Sequence, residues 1–224
     1  MENFTRTGYT IEITIEGTQQ EFLYSQEEFK NNKLISLMFY EKNGLIIEKT
    51  INSYYENGNL KQTEIFTENN ELSQKIEYLY QSDDDCEKII EITHYQDETK
   101  DEYIEIFKNN KISRTERLID GTLDIIEEYF YDDQKLVKYI KLDSNNFEIE
   151  KSIHSYIDNN RIIEYYSNGE FLQKITLIYN NDKIMEKHLD NGSFVSKNIY
   201  KYDSNGNEIE IVLYKGDTIV GKVQ

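Results

Sequence analysis

Three histidines, one cysteine and a surplus of carboxylates are the first places to look for chemistry in this 224-residue chain. His94, His154 and His188 stand 60 and 34 residues apart, which is not a zinc-ligand spacing. Cys86 is single, so no internal disulfide is possible. Its neighbours Asp83, Asp84 and Asp85 disfavour the thiolate, the form a nucleophile needs. The Asp83-Asp84-Asp85 run and Asp203-x-Asn205-x-Asn207 suggest calcium at first sight. Neither sits in a twelve-residue loop that closes on a bidentate Glu, so these are read as solvated turns. The chain has no G-x-S-x-G, H-E-x-x-H, P-loop or dinucleotide fingerprint. The residues therefore predict no catalytic group, no cofactor and no metal.

Acids that stand beside aromatic residues are the better candidates, and the chemistry they offer is recognition. One group is Glu127, Glu128, Tyr129, Phe130, Tyr131, Asp132 and Asp133. A second is Asp83, Asp84, Asp85, Asp97, Asp101 and Glu102, placed in two acidic connections expected to be long and irregular, 82–86 and 96–102. Loops that interrupt a regular array often carry binding. The formal net charge is -18, which argues against a phosphate backbone as ligand and favours a basic protein partner. The same charge also keeps exposed strands apart and the chain soluble.

The elements that must position these residues follow from a repeat. Phe107 to Ile112, Tyr131 to Leu136, Ile157 to Ile162 and Tyr179 to Ile184 each read as a large apolar residue, an Asn/Asp turn, a base and an aliphatic residue. A second version, with a Gly or Asn turn, runs Leu118 to Leu123, Leu142 to Phe147, Tyr166 to Phe171 and Leu189 to Phe194. Either version returns after about 22 to 27 residues and the two alternate about every 12, the spacing of repeated hairpins. Tyr9 to Glu16 alternates apolar and polar residues with a period of two. Eight of ten glycines fall at predicted turns. The chain has no Ala or Pro and is rich in Ile, Thr, Phe and Tyr, a composition that favours strands.

The expected fold is all-β: an elongated, curved antiparallel meander of about 17 or 18 strands forming one domain over residues 1–224. A short helical turn is expected at Ser25 to Phe29. Along Leu123 to Tyr131, the side with Leu123, Ile125, Tyr129 and Tyr131 is expected to face a core. The side with Asp124, Ile126, Glu128 and Phe130 is expected to face outward. A membrane barrel is the architectural rival, but charges interrupt both faces and several strands are short for it. No run could cross a membrane as a helix, and Met1 to Arg6 carries no apolar signal segment, so the expectation is a cytoplasmic protein.

Tyr55-Glu56-Asn57-Gly58-Asn59-Leu60 and Tyr166-Ser167-Asn168-Gly169-Glu170-Phe171 resemble the Tyr-x-Asn-Gly-x-aliphatic unit of MORN-variant repeats, found in the YwqK-type antitoxin family. Tyr200-Lys201-Tyr202-Asp203-Ser204-Asn205-Gly206-Asn207 resembles the YD repeat of Rhs-type proteins, whose hairpins wind into a shell. The chain departs from ordinary MORN repeats in lacking most of their glycines. The resemblance implies a non-catalytic binding array, as in bacterial immunity proteins and antitoxins that neutralise a cognate, basic toxin. The alternative is a structural or carbohydrate-binding module, as part of an Rhs-like shell.

Overall fold

The computed structural model describes residues 3–13, 19–83, 86–158 and 160–223. The described residues hold eighteen strands and no helix. The first eight are β1 (Asn3–Ile13), β2 (Gln19–Lys30), β3 (Lys33–Tyr40), β4 (Ile46–Tyr54), β5 (Leu60–Thr67), β6 (Leu72–Asp83), β7 (Cys86–Tyr95) and β8 (Lys100–Lys108). Then come β9 (Lys111–Ile119), β10 (Thr122–Asp132), β11 (Lys135–Asp143), β12 (Glu148–Ile157) and β13 (Asn160–Ser167). The last five are β14 (Glu170–Asn180), β15 (Lys183–Asp190), β16 (Val195–Tyr202), β17 (Glu208–Lys215) and β18 (Thr218–Val223). All belong to one 18-stranded sheet. The chain is thus all-β, as its composition and periodicity predict.

Two compact units can be distinguished, residues 1–111 with 116–123, and residues 112–115 with 124–224. In the first, every strand from β1 to β8 pairs antiparallel with its successor. In the second, the same holds from β10 to β18.

One irregularity recurs through both units. Eleven of the fifteen described pairings shift register by one residue, and in ten an aromatic residue of the first strand sits at the shift. In the β4–β5 pair, Ser53 faces Gln62 and Tyr54 faces Leu60, so Lys61 is the extra residue. The same geometry leaves Ile47, Leu172, Ile209 and Val220 unpaired opposite Tyr40, Tyr166, Tyr202 and Tyr214. These four are exposed, at 45%, 52%, 51% and 62%. Each bulge adds a side chain with no cross-strand partner and tightens the local twist; the extra residues Ile35, Val137, Ile149 and Met185 of other pairings are half-buried.

The structure also explains the base and aliphatic residue in the repeat. Tyr54 donates its hydroxyl to the Leu34 carbonyl at 2.7 Å, while Lys33 Nζ lies 5.0 Å from the Tyr54 ring centre. Tyr156 does the same to Leu136 at 3.1 Å beneath Lys135 at 4.9 Å. Tyr202 does so to Ile184 at 2.8 Å beneath Lys183 at 5.2 Å. Each tyrosine ends one strand of a pair and latches the start of the other. Burial raises the Tyr54 and Tyr202 phenols above their ordinary pKa, so these hydroxyls stay protonated donors.

The turns fall into two geometric kinds, but not along the two sequence versions. Asn31-Asn32, Asn109-Asn110, Asp120-Gly121, Asn168-Gly169 and Asn181-Asp182 each place two consecutive residues at positive φ, the signature of two-residue hairpin turns. The loops Glu41–Leu45, Tyr55–Asn59, Thr67–Glu71, Tyr95–Thr99, Asp143–Phe147 and Asp203–Asn207 instead share two backbone bonds, first residue to fifth and fourth to first. The second sequence version thus contains both kinds: Asp120-Gly121 and Asn168-Gly169 close tight turns, whereas Asp143–Phe147 closes a longer one.

Three expectations are corrected here. Ser25 to Phe29 is not a helical turn; it lies within β2 and is paired on one side with β1 and on the other with β3. Two ladders of backbone bonds override a weak local helical preference. The acidic connections are short: β6 runs to Asp83, β7 resumes at Cys86, and β8 begins at Lys100 directly after the Tyr95–Thr99 turn. Acidic composition resembles a loop, but Asp favours tight turns just as strongly. Finally, Ile126, on the side of β10 expected to face outward, is 1% exposed.

Few side chains are fully covered. Among the described residues the buried apolar set is Ile104 in the first unit and Ile126, Ile163 and Val212 in the second. Ser36 and Thr63 are also buried in the first unit, and Thr115, Ser152 and His154 in the second. Full burial of an aliphatic side chain contributes about 1.5–3 kcal/mol, so four such residues cannot hold the sheet alone. Ladder hydrogen bonds, half-buried cross-strand pairs and the tyrosine latches supply the remainder.

Gly58 and Gly216 test the turn chemistry. Gly58 has φ +97, and a Cβ built there would stand 2.7 Å from Lys33 Nζ. Gly216 has φ +58 with nothing within 4 Å. Urea unfolding should show Gly58→Ala destabilised by about 1–2 kcal/mol from backbone strain. Gly216→Asn should fall within about 0.5 kcal/mol of the parent, because Asn tolerates this region.

Candidate functional site

Strand alternation separates the seven candidates on and after β10. Glu127 and Tyr129 share one face with Tyr139, which stands directly across from Tyr129. Glu128 and Phe130 lie on the other face, opposite Ile140 and Lys138. Neighbours in sequence thus point apart, as the two-residue period of a strand requires.

Glu127 is a fully engaged carboxylate. It accepts hydroxyl hydrogen bonds from Tyr139 at 2.7 Å, Thr115 at 2.9 Å and Tyr129 at 3.1 Å. Burial works against its ionisation, but the Tyr139, Thr115 and Tyr129 hydroxyls outweigh it and hold the carboxyl below its ordinary value. The reciprocal effects, burial first and the Glu127 hydrogen bond second, push the Tyr139 phenol well above its ordinary range. Glu128 accepts from Arg114 Nη1 at 2.9 Å. These two acids organise their own unit.

The end of the β10–β11 hairpin differs. Phe130 is 43% and Tyr131 37% exposed, and Asp132 and Asp133 beyond them are exposed as well. Lys138 Nζ lies 5.3 Å from the Phe130 ring centre. The hairpin end therefore presents one aromatic ring on each face, with two exposed acids beyond them.

In the second group, Asp83 is exposed at the end of β6, and Asp84 and Asp85 lie outside the described residues. Asp97 accepts from the Thr99 hydroxyl and amide, which close its turn and lower its pKa. Asp101 accepts from Tyr95 at 3.4 Å, and Glu102 pairs with Lys100 at 2.7 Å. Asp97 and Asp101 thus sit near one another through Tyr95, whereas Glu102, its side chain on the opposite face from Asp101, serves a different contact.

A buried polar network that spacing alone did not single out lies in the second unit. Ser152 Oγ is 2.8 Å from His154 Nε2, and Arg161 Nη2 is 2.9 Å from His154 Nδ1. Arg161 can only donate, so Nδ1 must be the acceptor and Nε2 carries the proton. That tautomer donates to Ser152 and cannot take its proton, so the pair is not arranged as a nucleophile and base. Burial and the nearby Arg161 charge both lower the His154 pKa, keeping the ring neutral. The period-two pattern Ser152-x-His154, with Arg161 across the β12–β13 hairpin, was the available signal. His94 and His188 rest against Glu77 at 3.2 Å and Glu186 at 2.7 Å. Among the described residues no three His, Cys, Asp or Glu side chains converge as metal ligands.

No family model matches the chain. The search of curated proteins also returned no match. Among solved structures, a porin-like protein from Bacteroides uniformis is similar with a TM-score of 0.40 and 10% identity, covering 87% of this chain and 87% of that one. A chain in the TcdB2-TccC3-Cdc42 structure has a TM-score of 0.19 and 8% identity, covering 96% of this chain. This chain spans 15% of its length. Likenesses this distant do not transmit function.

Glu127→Gln removes the charge and halves the carboxylate's capacity to accept from three hydroxyls. Urea unfolding at pH 7 should show a loss of about 1–3 kcal/mol. The folded pKa of Glu127 lies below the unfolded value of 4.5, so its stabilisation is complete above that value and is lost as pH falls through the folded pKa. The gap between parent and variant should therefore narrow on acidification below pH 4.5. A gap that widened there would contradict the assignment.

Proposed function

We propose that this chain is a non-catalytic binding protein whose partner is a basic protein, and that its biological form is a cytoplasmic bacterial immunity protein or antitoxin neutralising a cognate toxin. The observation that carries the reading is the β10–β11 hairpin end, where Phe130, Tyr131, Asp132 and Asp133 are all exposed. Aromatic rings supply contact area at low entropic cost, and adjacent carboxylates attract and orient a basic surface. The net charge of -18 supports long-range attraction of such a partner. The antitoxin form rests on the repeat resemblance and on this charge.

Co-expression with the toxin encoded beside it should protect cells and yield an isolable complex. Raising salt from about 50 to 500 mM should slow association about tenfold or more, because the Debye length contracts severalfold. Charge removal, Asp132→Lys with Asp133→Asn, the latter keeping a residue that tolerates the positive φ of that turn, should lower the association rate and flatten its salt dependence while leaving unfolding midpoints near the parent. Failure of any neighbouring gene product to bind, or an association rate indifferent to salt, would remove the reading.

A further inference from the structure

The β6–β7 hairpin extends past the strand beside it. β5 covers β6 only from Leu72 to Glu77. β6 continues to Asp83 and stays in register with β7 throughout, ending with Asp83 opposite Cys86. In a hairpin closed by two residues, the flanking pair exchanges both backbone bonds and the next pair does not. The backbone groups of Leu79, Gln81 and Asp83 therefore point to β7, and those of Tyr78, Tyr80 and Ser82 point away. Tyr78 fixes this phase independently, since its carbonyl accepts the Tyr55 hydroxyl at 3.0 Å. Beyond it, the N–H and C=O of Tyr80 and Ser82 face no strand among the described residues.

Edges of this kind are normally blunted by a bulge, a proline or a charged side chain. Here β6–β7 is one of the few pairings without a register shift, and neither Tyr80 nor Ser82 carries charge. The edge also borders a groove of about 570 Å³, lined by Tyr55, Glu56, Asn57, Leu79, Tyr80 and Gln81. Leu79 and Tyr80 are 40% and 38% exposed, and the Tyr55 and Tyr80 rings meet edge to face at 6.1 Å. Lys61 Nζ already lies 5.8 Å from the Tyr55 ring centre, so aromatic walls here accept cations. Glu56 in the groove, with Asp83 and Glu87 at the hairpin end, makes the surroundings acidic. A second copy of this chain, also at -18, would be repelled.

We propose that the Tyr80–Ser82 edge is a docking site for an extended, Lys- or Arg-bearing segment of a partner protein, which adds a short strand to β6 and seats a side chain in the groove beside the Tyr55–Tyr80 ring pair. Backbone bonds supply affinity and the acidic groove supplies selection for a basic sequence. The inference rests on the reading that the partner is a basic protein, and it names a surface distinct from the β10–β11 hairpin end.

The probe is a capped octapeptide alternating Lys and Val, with a control N-methylated at alternate residues, equal in charge but unable to pair. In the free protein the Tyr80 and Ser82 amides should exchange quickly, and saturation with the probe should slow both about tenfold or more. The N-methylated control should give no such protection. Ser82→Pro removes only an outward donor and should weaken the probe about tenfold. Protection elsewhere, equal affinity for both peptides, or self-association of the free chain abolished by Ser82→Pro would overturn the proposal. A toxin captured equally well by parent and Ser82→Pro would sink this docking site and leave the proposed function standing. Absence of any basic protein partner, with the probe still protecting Tyr80 and Ser82, would do the reverse.

Discussion

The structure depends on an aromatic residue set opposite a bulge at the end of one strand after another. In a sheet with few fully buried side chains, register cannot be secured by a deep core. Here it is secured locally. The extra residue on the incoming strand fixes the offset, and the ring across from it covers the kink. Where that ring is Tyr54 or Tyr202, its hydroxyl ties down the start of the neighbouring strand beneath a lysine. Each hairpin thereby carries much of its own specification, which suits an array built by repetition.

The same constraint sorts the exposed apolar residues. Ile47, Leu172, Ile209 and Val220 are extra residues of bulges that lie exposed, whereas Ile35, Val137, Ile149 and Met185 hold the same position half-buried. Tyr131 stands across from a bulge and ends a hairpin beside exposed acidic turn residues, whereas Leu79 and Tyr80 lie on a hairpin with no bulge. Both hairpins stand next to carboxylates. Charge sorts in the same way. Much of the acidic surplus is engaged locally, as in Glu127 with its three hydroxyl donors and Asp203 with the amides of Asn205 and Asn207.

Much of the fold was legible in the residues because its signals are local. The number of strands and the places of the repeated turns follow from alternation and from Asn/Gly/Asp turn chemistry, and the structure sets strands on either side of those turns. The candidate site was less legible. Residues 127–133 were grouped because they are consecutive, yet consecutive strand residues face opposite sides, so Glu127 and Glu128 serve separate contacts. The Ser152, His154 and Arg161 network carries neither metal-ligand spacing nor a nucleophile motif, and a buried hydrogen-bond network has no motif of its own.

The sequence by itself determined the strand class, the turns and the hairpin period, since these depend on backbone preferences of a few adjacent residues. Tertiary structure alone decided which acids were already occupied, which apolar residues were left over by bulges, and where β6 outran β5. Those outcomes depend on register between strands, and a shift of one residue exchanges every side chain's face. Such an offset belongs to two segments at once, so neither segment read alone contains it.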